Sequence, residues 1–588
     1  MKKVKQNKRY YNMCSLKKVL KLGNTQDYAS FAFQDTEVLK HEDTNMSVYR
    51  AILDANKLHE EDTALIFMNH RISYNNLIAQ ADKISDIMTS LNIKKGDLIF
   101  LGANTPQAVS ILLACSKIGV TAMILTQRTT PTQFARAVLN TNIPLMFCTD
   151  DIFARFSEHI TVDKRVRIIL IPFDIPIGED ESDKKFDKDT QNICTWDAFL
   201  NFKITKYAEE TYGGDFPLTI SATTGSTGSP KGIILENRSY IALEKMLRRA
   251  DFNWHRGDII ASTLSTGVVT GTSLLLLVPL MMGLCVLQHP RYPKTNPFTT
   301  FLKNVTLQKA NILVSPPSLW LAMIANCSDD IDLSSVKRAY TVGEPISETE
   351  YNIINNFLHE KNATDRLRNM YGMSETNSIA TYSPNTLKNP ICVGIAAPYN
   401  IISIFDPDTL QELPFGKIGE VFIHTPTAMR EYLYDSKATQ EIFIKDNVGR
   451  QWVRTGDLGM MTGDGELTIL GRISHRFVTA NGTCIYPYML EHVLLQHPEV
   501  SRIKMVNTIY NGENTYAIHI IPNNLAVNKI ELAGKLFELL AKSDTIVTLP
   551  RIIKIRDSFP KNQGGKVDMQ ALAQEKDGFF ELDSYKMG

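Results

Sequence analysis

Residues 221–232 read Ser221-Ala222-Thr223-Thr224-Gly225-Ser226-Thr227-Gly228-Ser229-Pro230-Lys231-Gly232. Leu218–Ile220 before them reads as the end of a strand. Glycines let a backbone turn tightly and bring its N–H groups against an anion. The hydroxyls of Thr223, Thr224, Ser226 and Thr227 add donors, and Lys231 adds a mobile positive charge suited to a polyphosphate. The order is not GxxxxGK[ST], so this is not a Walker A loop. By composition alone, a Gly/Ser/Thr run reads equally as a polar surface loop.

Outward from this loop, helix-period segments alternate with short β-branched runs from about Ser47 to Gly471. Leu98–Gly102 reads as a strand, Gln107–Gly119 as a helix, Thr121–Leu125 as a strand and Thr132–Thr141 as a helix. Such alternation predicts α/β layers on largely parallel sheets. Leu274–Leu287 is apolar but too short to span a bilayer, and Pro279 and Gly283 interrupt it. It reads as a buried helix leading into a strand. Gly178–Gln191 is charged and turn-rich, a surface loop. Thr425–Gly465 holds short strand-like pieces and reads as a candidate subdomain.

Beyond Gly471-Arg472 the pattern restarts. A helix is expected near Pro487–His497, strands near Ile503–Val506 and Tyr516–Ile521, a helix at Lys529–Ala541 and a strand at Ile552–Ile555. The expected fold is therefore α/β: a large N-terminal layered α/β domain over 46–471, then a smaller α+β C-terminal domain over 472–588, whose mobility comes only with the resemblance described below. Residues 1–45 read as an extension. Its basic leader lacks an apolar h-region and is not a secretory signal.

The 588 residues are ample for two or more folding units. Lys+Arg and Asp+Glu both number 63, so no nucleic-acid or anionic-membrane partner is implied. The eight cysteines are scattered, without CxxC. A disulfide framework or zinc site is not expected, and reduced thiols in a cytoplasmic setting are.

The order of residues 223–232 resembles the phosphate loop of the adenylate-forming superfamily: acyl-CoA synthetases, nonribosomal peptide synthetase adenylation domains and luciferases. Further segments resemble that family's motifs in order. Ile72–Leu77 is similar to "LTYxEL", Leu112–Gly119 to "LAxxKxGA", and Gly343-Glu344-Pro345 to "GGEPL". Asn369–Thr376 is similar to "NxYGxTE", Arg454–Asp457 with Gly471-Arg472 to "YRTGD…GR", and Pro560–Lys566 to "PKTxSGK". The resemblance covers almost the whole chain after residue 46.

The resemblance implies ATP-dependent adenylation of a carboxylate, release of pyrophosphate and transfer of the acyl group to a thiol. ATP and Mg²⁺ are the implied cofactors. Glu375 is the implied metal ligand, and Thr376 and Thr224 the implied contacts to phosphate. Gly225, Gly228 and Lys231 complete the phosphate loop, and Gly343, Glu344, Pro345, Met370 and Gly372 the rest of the nucleotide site. Tyr371 would stack on adenine and Asn369 would reach its amine. Asp457 would accept from the ribose hydroxyls, with Arg472 beside it. Lys566 would neutralise the reacting carboxylate and α-phosphate, then leave as the small domain swings.

The chain departs from the family at the hinge, where Ser474 stands in place of Asp or Lys, and in Phe477–Gly482, which lacks the usual lysine. Glu236-Asn237 replaces a histidine common after the phosphate loop. In Leu264–Thr272 the "PxxH" histidine of acyl-CoA synthetases is missing, and Thr270 stands where amino-acid-activating domains carry an Asp. Small residues here, Gly271 among them, with Met370 and Met373, favour a restricted pocket and a small acid. That pattern is somewhat similar to AlmE-like stand-alone glycine-activating enzymes that charge a carrier protein. The favoured expectation is a small carboxylate such as glycine passed to a carrier-protein phosphopantetheine thiol. The alternatives are an acyl-CoA ligase for a short or medium acid, and a non-catalytic acyl-AMP-binding protein. The last predicts loss of Lys566, Glu375 or Asp457, and all three are present.

Overall fold

The computed structural model describes residues 19–20, 39–126, 129, 143–160, 166–172, 193–222, 231–250, 252–289, 296–384, 392–473, 477–478, 484–485, 487–495, 497–542, 550–560 and 567–582. The chain divides into two compact units. Unit 1 comprises Met1–Lys417, Val421–Thr455 and Met461–Thr468; unit 2 comprises Ile418–Glu420, Gly456–Met460 and Ile469–Gly588. The first is layered α/β and the second a smaller α+β unit.

Unit 1 holds two large sheets. The eight-stranded one runs in the order Glu431–Tyr432, Gly232–Glu236, Pro217–Ala222, Thr121–Ile124, Leu98–Gly102, Leu145–Cys148, Arg167–Leu170, Ile193–Thr195. It is parallel from Pro217–Ala222 onward. The seven-stranded one runs Leu367–Met370, Arg338–Val342, Ile312–Val314, Ile259–Ser262, Cys285–Gln288, Thr63–Phe67, His70–Ser73. Only its last strand is antiparallel. Central strands such as Thr121–Ile124 and Leu145–Cys148 are buried throughout, as parallel strands covered on both faces must be.

The helix Pro106–Ile118 shows why the local signals were readable. Pro106 opens it, Gly119 closes it at φ +72°, and nearly every residue between is buried. The "LTYxEL"-like segment has a structural job. Ser73 caps the helix Tyr74–Ser90, and the buried Tyr74 hydroxyl donates to the Leu284 carbonyl at 2.7 Å. The apolar run Leu274–Leu287 is helical to Met281 and then enters the strand Cys285–Gln288, as expected, but Ser273–Leu277 is π-wound. Pro279 removes the N–H that the carbonyl four residues earlier would accept, and a wider turn absorbs the loss.

The Thr425–Gly465 pieces do not stand apart: except for Gly456–Met460, they cluster with unit 1. Phe443–Asp446 pairs with the start of Gln451–Met461, and Val19–Leu20 of the basic leader adds alongside it in parallel. The expected helix Thr132–Thr141 and loop Gly178–Gln191 lie outside the described residues.

In unit 2 the sheet order is Val500–Tyr510, Glu513–Pro522, Ile552–Ile555, Phe580–Glu581. Helix Lys529–Ala541 is capped by Asn528 and buries Leu532, Ala533, Leu536, Phe537 and Leu540. That stripe packs with Leu490 and Leu494 of Pro487–Leu495 against Ile518 and Ile553. The first two strands are longer than expected, because Asn511 (φ +50°) and Gly512 (φ +81°) make a tight hairpin turn between them.

Candidate active site

The phosphate-loop residues Thr223, Thr224, Gly225, Ser226, Thr227 and Gly228 lie outside the described residues, as do Lys566 and Ser474. The structure does describe the feet of the loop. Pro217–Ala222 and Gly232–Glu236 pair antiparallel with Ala222 opposite Gly232, so the two strands form a hairpin whose connection lies outside the described residues. Gly232 is tight: a Cβ there would meet the Leu433 side chain at 3.1 Å.

Lys231 leaves this hairpin with its Nζ 4.7 Å above the Tyr432 ring. The Tyr432 hydroxyl donates to Glu375 Oε1 at 2.6 Å. Two motifs 144 residues apart in the chain (375 − 231) are thus joined through one tyrosine. Tyr432 is placed by its strand, which pairs with Gly232–Glu236 through the Leu433 N–H to the Gly232 carbonyl and the Arg430 N–H to the Ile234 carbonyl. Sequence reading missed Tyr432, since Arg430-Glu431-Tyr432 carries no chemistry until its neighbours are known.

Glu375 sits on the short turn Ser374–Thr376 and is buried. Gly372 makes that turn possible: a Cβ would lie 1.9 Å from the Ser378 carbonyl oxygen. Asn377 and Ser378 then take left-handed backbone, φ +53° and +102°, and the Met429 N–H donates to the Glu375 carbonyl. Thr376 is fully buried, and its hydroxyl donates to the Met373 carbonyl at 3.1 Å. Donation to a phosphate would require that bond to break. Met373 is half-buried, while Met370 belongs to the main core of unit 1. Asn369 is buried with its amide N–H directed to the Cys392 carbonyl at 3.4 Å. Tyr371 is half-buried, its backbone tied to Ala380 and Thr381.

Gly343-Glu344-Pro345 follows Arg338–Val342. Gly343 has φ +85° with nothing near a would-be Cβ, so conformation alone asks for glycine. Glu344 has a local role: its Oε2 accepts from the Ser318 N–H at 3.1 Å. The helix Pro317–Ala325 has Pro316 at its N-cap, which offers no side-chain acceptor, and Glu344 supplies one.

Around Thr270 the backbone is closely packed. A Cβ on Gly271 would meet the Ser265 carbonyl at 1.9 Å, and one on Gly267 would meet Thr126 Cγ2 at 2.5 Å. Thr270 itself is half-buried at the start of the helical run. The Glu236-Asn237 pair that replaces the family's histidine is structural. Asn237 accepts from the Val48 N–H and the Ser116 hydroxyl. Glu236 pairs with Arg238 at 2.7 Å and Arg430 at 3.4 Å. Burial raises its pKa, and the two arginines offset part of that.

In unit 2, Asp457 and Arg472 form an ion pair, Nε to Oδ1 2.8 Å. The Gly456 N–H, at φ +69°, donates to the buried Glu420. The expected ribose acceptor and its arginine are therefore brought together.

Among the described residues, no group of three or more His, Cys, Asp or Glu could hold a metal alone. Glu375 suits a different arrangement. Mg²⁺ binds through one or two carboxylates completed by substrate phosphates, and Glu375 is a single carboxylate held at Oε1 by Tyr432.

Residues 53–433 match the family model described as AMP-binding enzyme. The chain belongs to that family. It is an adenylate-forming, ATP-dependent acid–thiol ligase. It is similar to the indoleacetate–CoA ligase of Aromatoleum aromaticum, 25% identical over 87% of this chain and 96% of that one. The acetyl-coenzyme A synthetase of Escherichia coli K12 is 23% identical over 92% and 85%. Among solved structures, the anthranilate CoA ligase AuaEII in complex with anthranoyl-AMP shares the fold: TM-score 0.75, 16% identity, 91% of this chain and 99% of that one. No helix among the described residues is long and apolar enough to cross a membrane.

Proposed function

We propose that this AMP-binding enzyme activates a small carboxylate with no second charged group, using Mg²⁺ and ATP, and passes the acyl group to coenzyme A. The observation that supports the catalytic half of this reading is the convergence of Lys231 and Glu375 on Tyr432. A polyphosphate cation and a metal-binding carboxylate are thereby held as one group. The substrate carboxylate oxygen attacks the α-phosphorus, the bond to pyrophosphate breaks, and acyl-AMP forms. The thiol then attacks the acyl carbon, loses its proton and expels AMP. Lys231 and Lys566 offset charge on the phosphate oxygens, the loop hydroxyls donate to them, and Asp457 with Arg472 holds the ribose. Bound at Glu375, Mg²⁺ supplies charge neutralisation at the phosphates.

Coenzyme A is the favoured acceptor because the relatives of similar length carry CoA-ligase names. The glycine and carrier-protein reading needs an acid to pair the substrate ammonium, and Leu264–Thr272 carries none. ATP–pyrophosphate exchange across glycine, short acids, aromatic acids and fatty acids tests the first step. Transfer to coenzyme A and to holo-carrier protein tests the second. Exchange with glycine and loading of a carrier but not coenzyme A would replace this reading; exchange with no acid would end it.

A further inference from the structure

A small cavity in unit 1 carries buried polar atoms that the protein leaves unpaired. It is about 10 Å³ in size and is lined by Thr105, Thr266 and Gln288 together with Leu112, Ile124 and Leu276 among other apolar side chains. That is the room one water-sized group needs. Gln288 is 5% exposed and Thr105 not at all. Neither Oε1 nor Nε2 of Gln288, nor Oγ1 of Thr105, has a hydrogen-bond partner. Buried polar groups in folded proteins are nearly always paired, so three such atoms around one space point to something that fills it.

Thr105 strengthens the case. It occupies the N-cap position of Pro106–Ile118, where a threonine hydroxyl normally accepts from the helix backbone. Here it makes no such bond. Thr266, on the third side, is held in place by donation to Asn104 at 2.5 Å.

The place in the fold ties the cavity to the reaction. Gln288 ends the strand Cys285–Gln288, which is parallel to Ile259–Ser262 and, through the sheet, to Leu367–Met370. The segment carrying Thr266 and Thr270 follows the end of Ile259–Ser262, and the turn carrying Glu375 follows the end of Leu367–Met370. All stand at the carboxyl edge of one sheet, where ligands of open α/β sheets bind.

We infer that Gln288 and Thr105 form the specificity end of the acid pocket and take a neutral hydrogen-bonding group, a hydroxyl or carbonyl, carried by the acid at its far end from the carboxylate. No charged side chain lines the cavity, so an ammonium or a second carboxylate there would be buried unpaired. The amide offers a donor and an acceptor side by side, and the threonine hydroxyl can serve either way. Sites built to bind a substrate hydroxyl discriminate strongly against analogues lacking it, since the protein groups are then stranded. This inference rests on the acid-activating reading above.

The test uses paired acids differing by one oxygen: butyrate and 4-hydroxybutyrate, hexanoate and 6-hydroxyhexanoate, benzoate and 4-hydroxybenzoate. Pyrophosphate exchange should favour the hydroxylated member of at least one pair by about 100-fold or more in kcat/KM. Gln288→Met and Thr105→Val, which keep volume and remove the polar atoms, should each bring that ratio down at least tenfold, and the double variant to within about threefold. Thr105→Ser should retain it. Both apolar variants should fold, because removing an unpaired buried polar group does not destabilise. A preference for the unsubstituted member in every pair, or a ratio unmoved by the variants, would overturn the inference and leave a buried water as the occupant. If no acid supports exchange, the reading above has failed instead. Thermal-shift binding of the same pairs to wild type and Gln288→Met then still decides the site, a shared shift counting against it.

Discussion

Tyr432 carries two interactions that substitution can separate. Tyr432→Phe keeps a ring under Lys231 and removes the donor to Glu375. A hydrogen bond to a charged group contributes about 1.5–3 kcal/mol, so pyrophosphate exchange should fall about tenfold or more. The Mg²⁺ concentration for half-maximal rate should rise with it. Tyr432→Leu should fall further, and an unmoved Mg²⁺ dependence in both would remove Tyr432 from the site. The glycines make a second contrast at this scale. Gly372→Ala drives a Cβ into a backbone carbonyl at 1.9 Å and should destabilise by about 2–4 kcal/mol with loss of exchange. Gly343→Ala meets only the cost of a left-handed backbone, about 1–2 kcal/mol. Thermal unfolding of the two variants should rank them in that order.

At the scale of elements, short-range chemistry was readable where both ends of a segment were punctuated. Leu98–Gly102, Lys529–Ala541 and Ile552–Ile555 lie where pattern put them. The hairpin Val500–Tyr510 and Glu513–Pro522 was read too short. Its outward residues Arg502, Lys504 and Asn507 hide the period, and the Asn511-Gly512 turn is the signal that marks its true length. Within that hairpin His519 is fully buried on the sheet of unit 2. Burial pushes its pKa down to about 4, with Glu575 opposing and Arg556 and Lys554 reinforcing. Arg556 donates to Nδ1 at 3.3 Å, which fits a neutral ring. The unfolded chain takes the proton near pH 6.5 and the folded chain near 4, so this contribution is whole above pH 6.5 and is lost as pH falls toward 4. The loss at pH 4 is at most about 3 kcal/mol. Calorimetry at pH 7 and 4.5 should find the acid sensitivity of unit 2 reduced in His519→Leu.

For the whole molecule, ordered motifs made the nucleotide chemistry legible, because each needs particular residue types close together in sequence. What stayed hidden depends on distant partners. Tyr432 gains meaning from Glu375 and Lys231, and Gln288 from Thr105, 183 positions away (288 − 105). Lys566 carries the corresponding prediction. Lys566→Ala should abolish most adenylation while sparing thioester formation from supplied acyl-AMP, and equal loss in both assays would argue against its role in the first step. The hairpin of Pro217–Ala222 and Gly232–Glu236 reaches beyond its own two strands. Its second strand also anchors the two-residue strand Glu431–Tyr432 through the amides of Arg430 and Leu433. Those two amide protons therefore report on the strand that carries Lys231 toward Tyr432. When a nucleotide binds beside these strands, their exchange with deuterated solvent should slow, giving a readout of nucleotide arrival that requires no turnover and no knowledge of the acid.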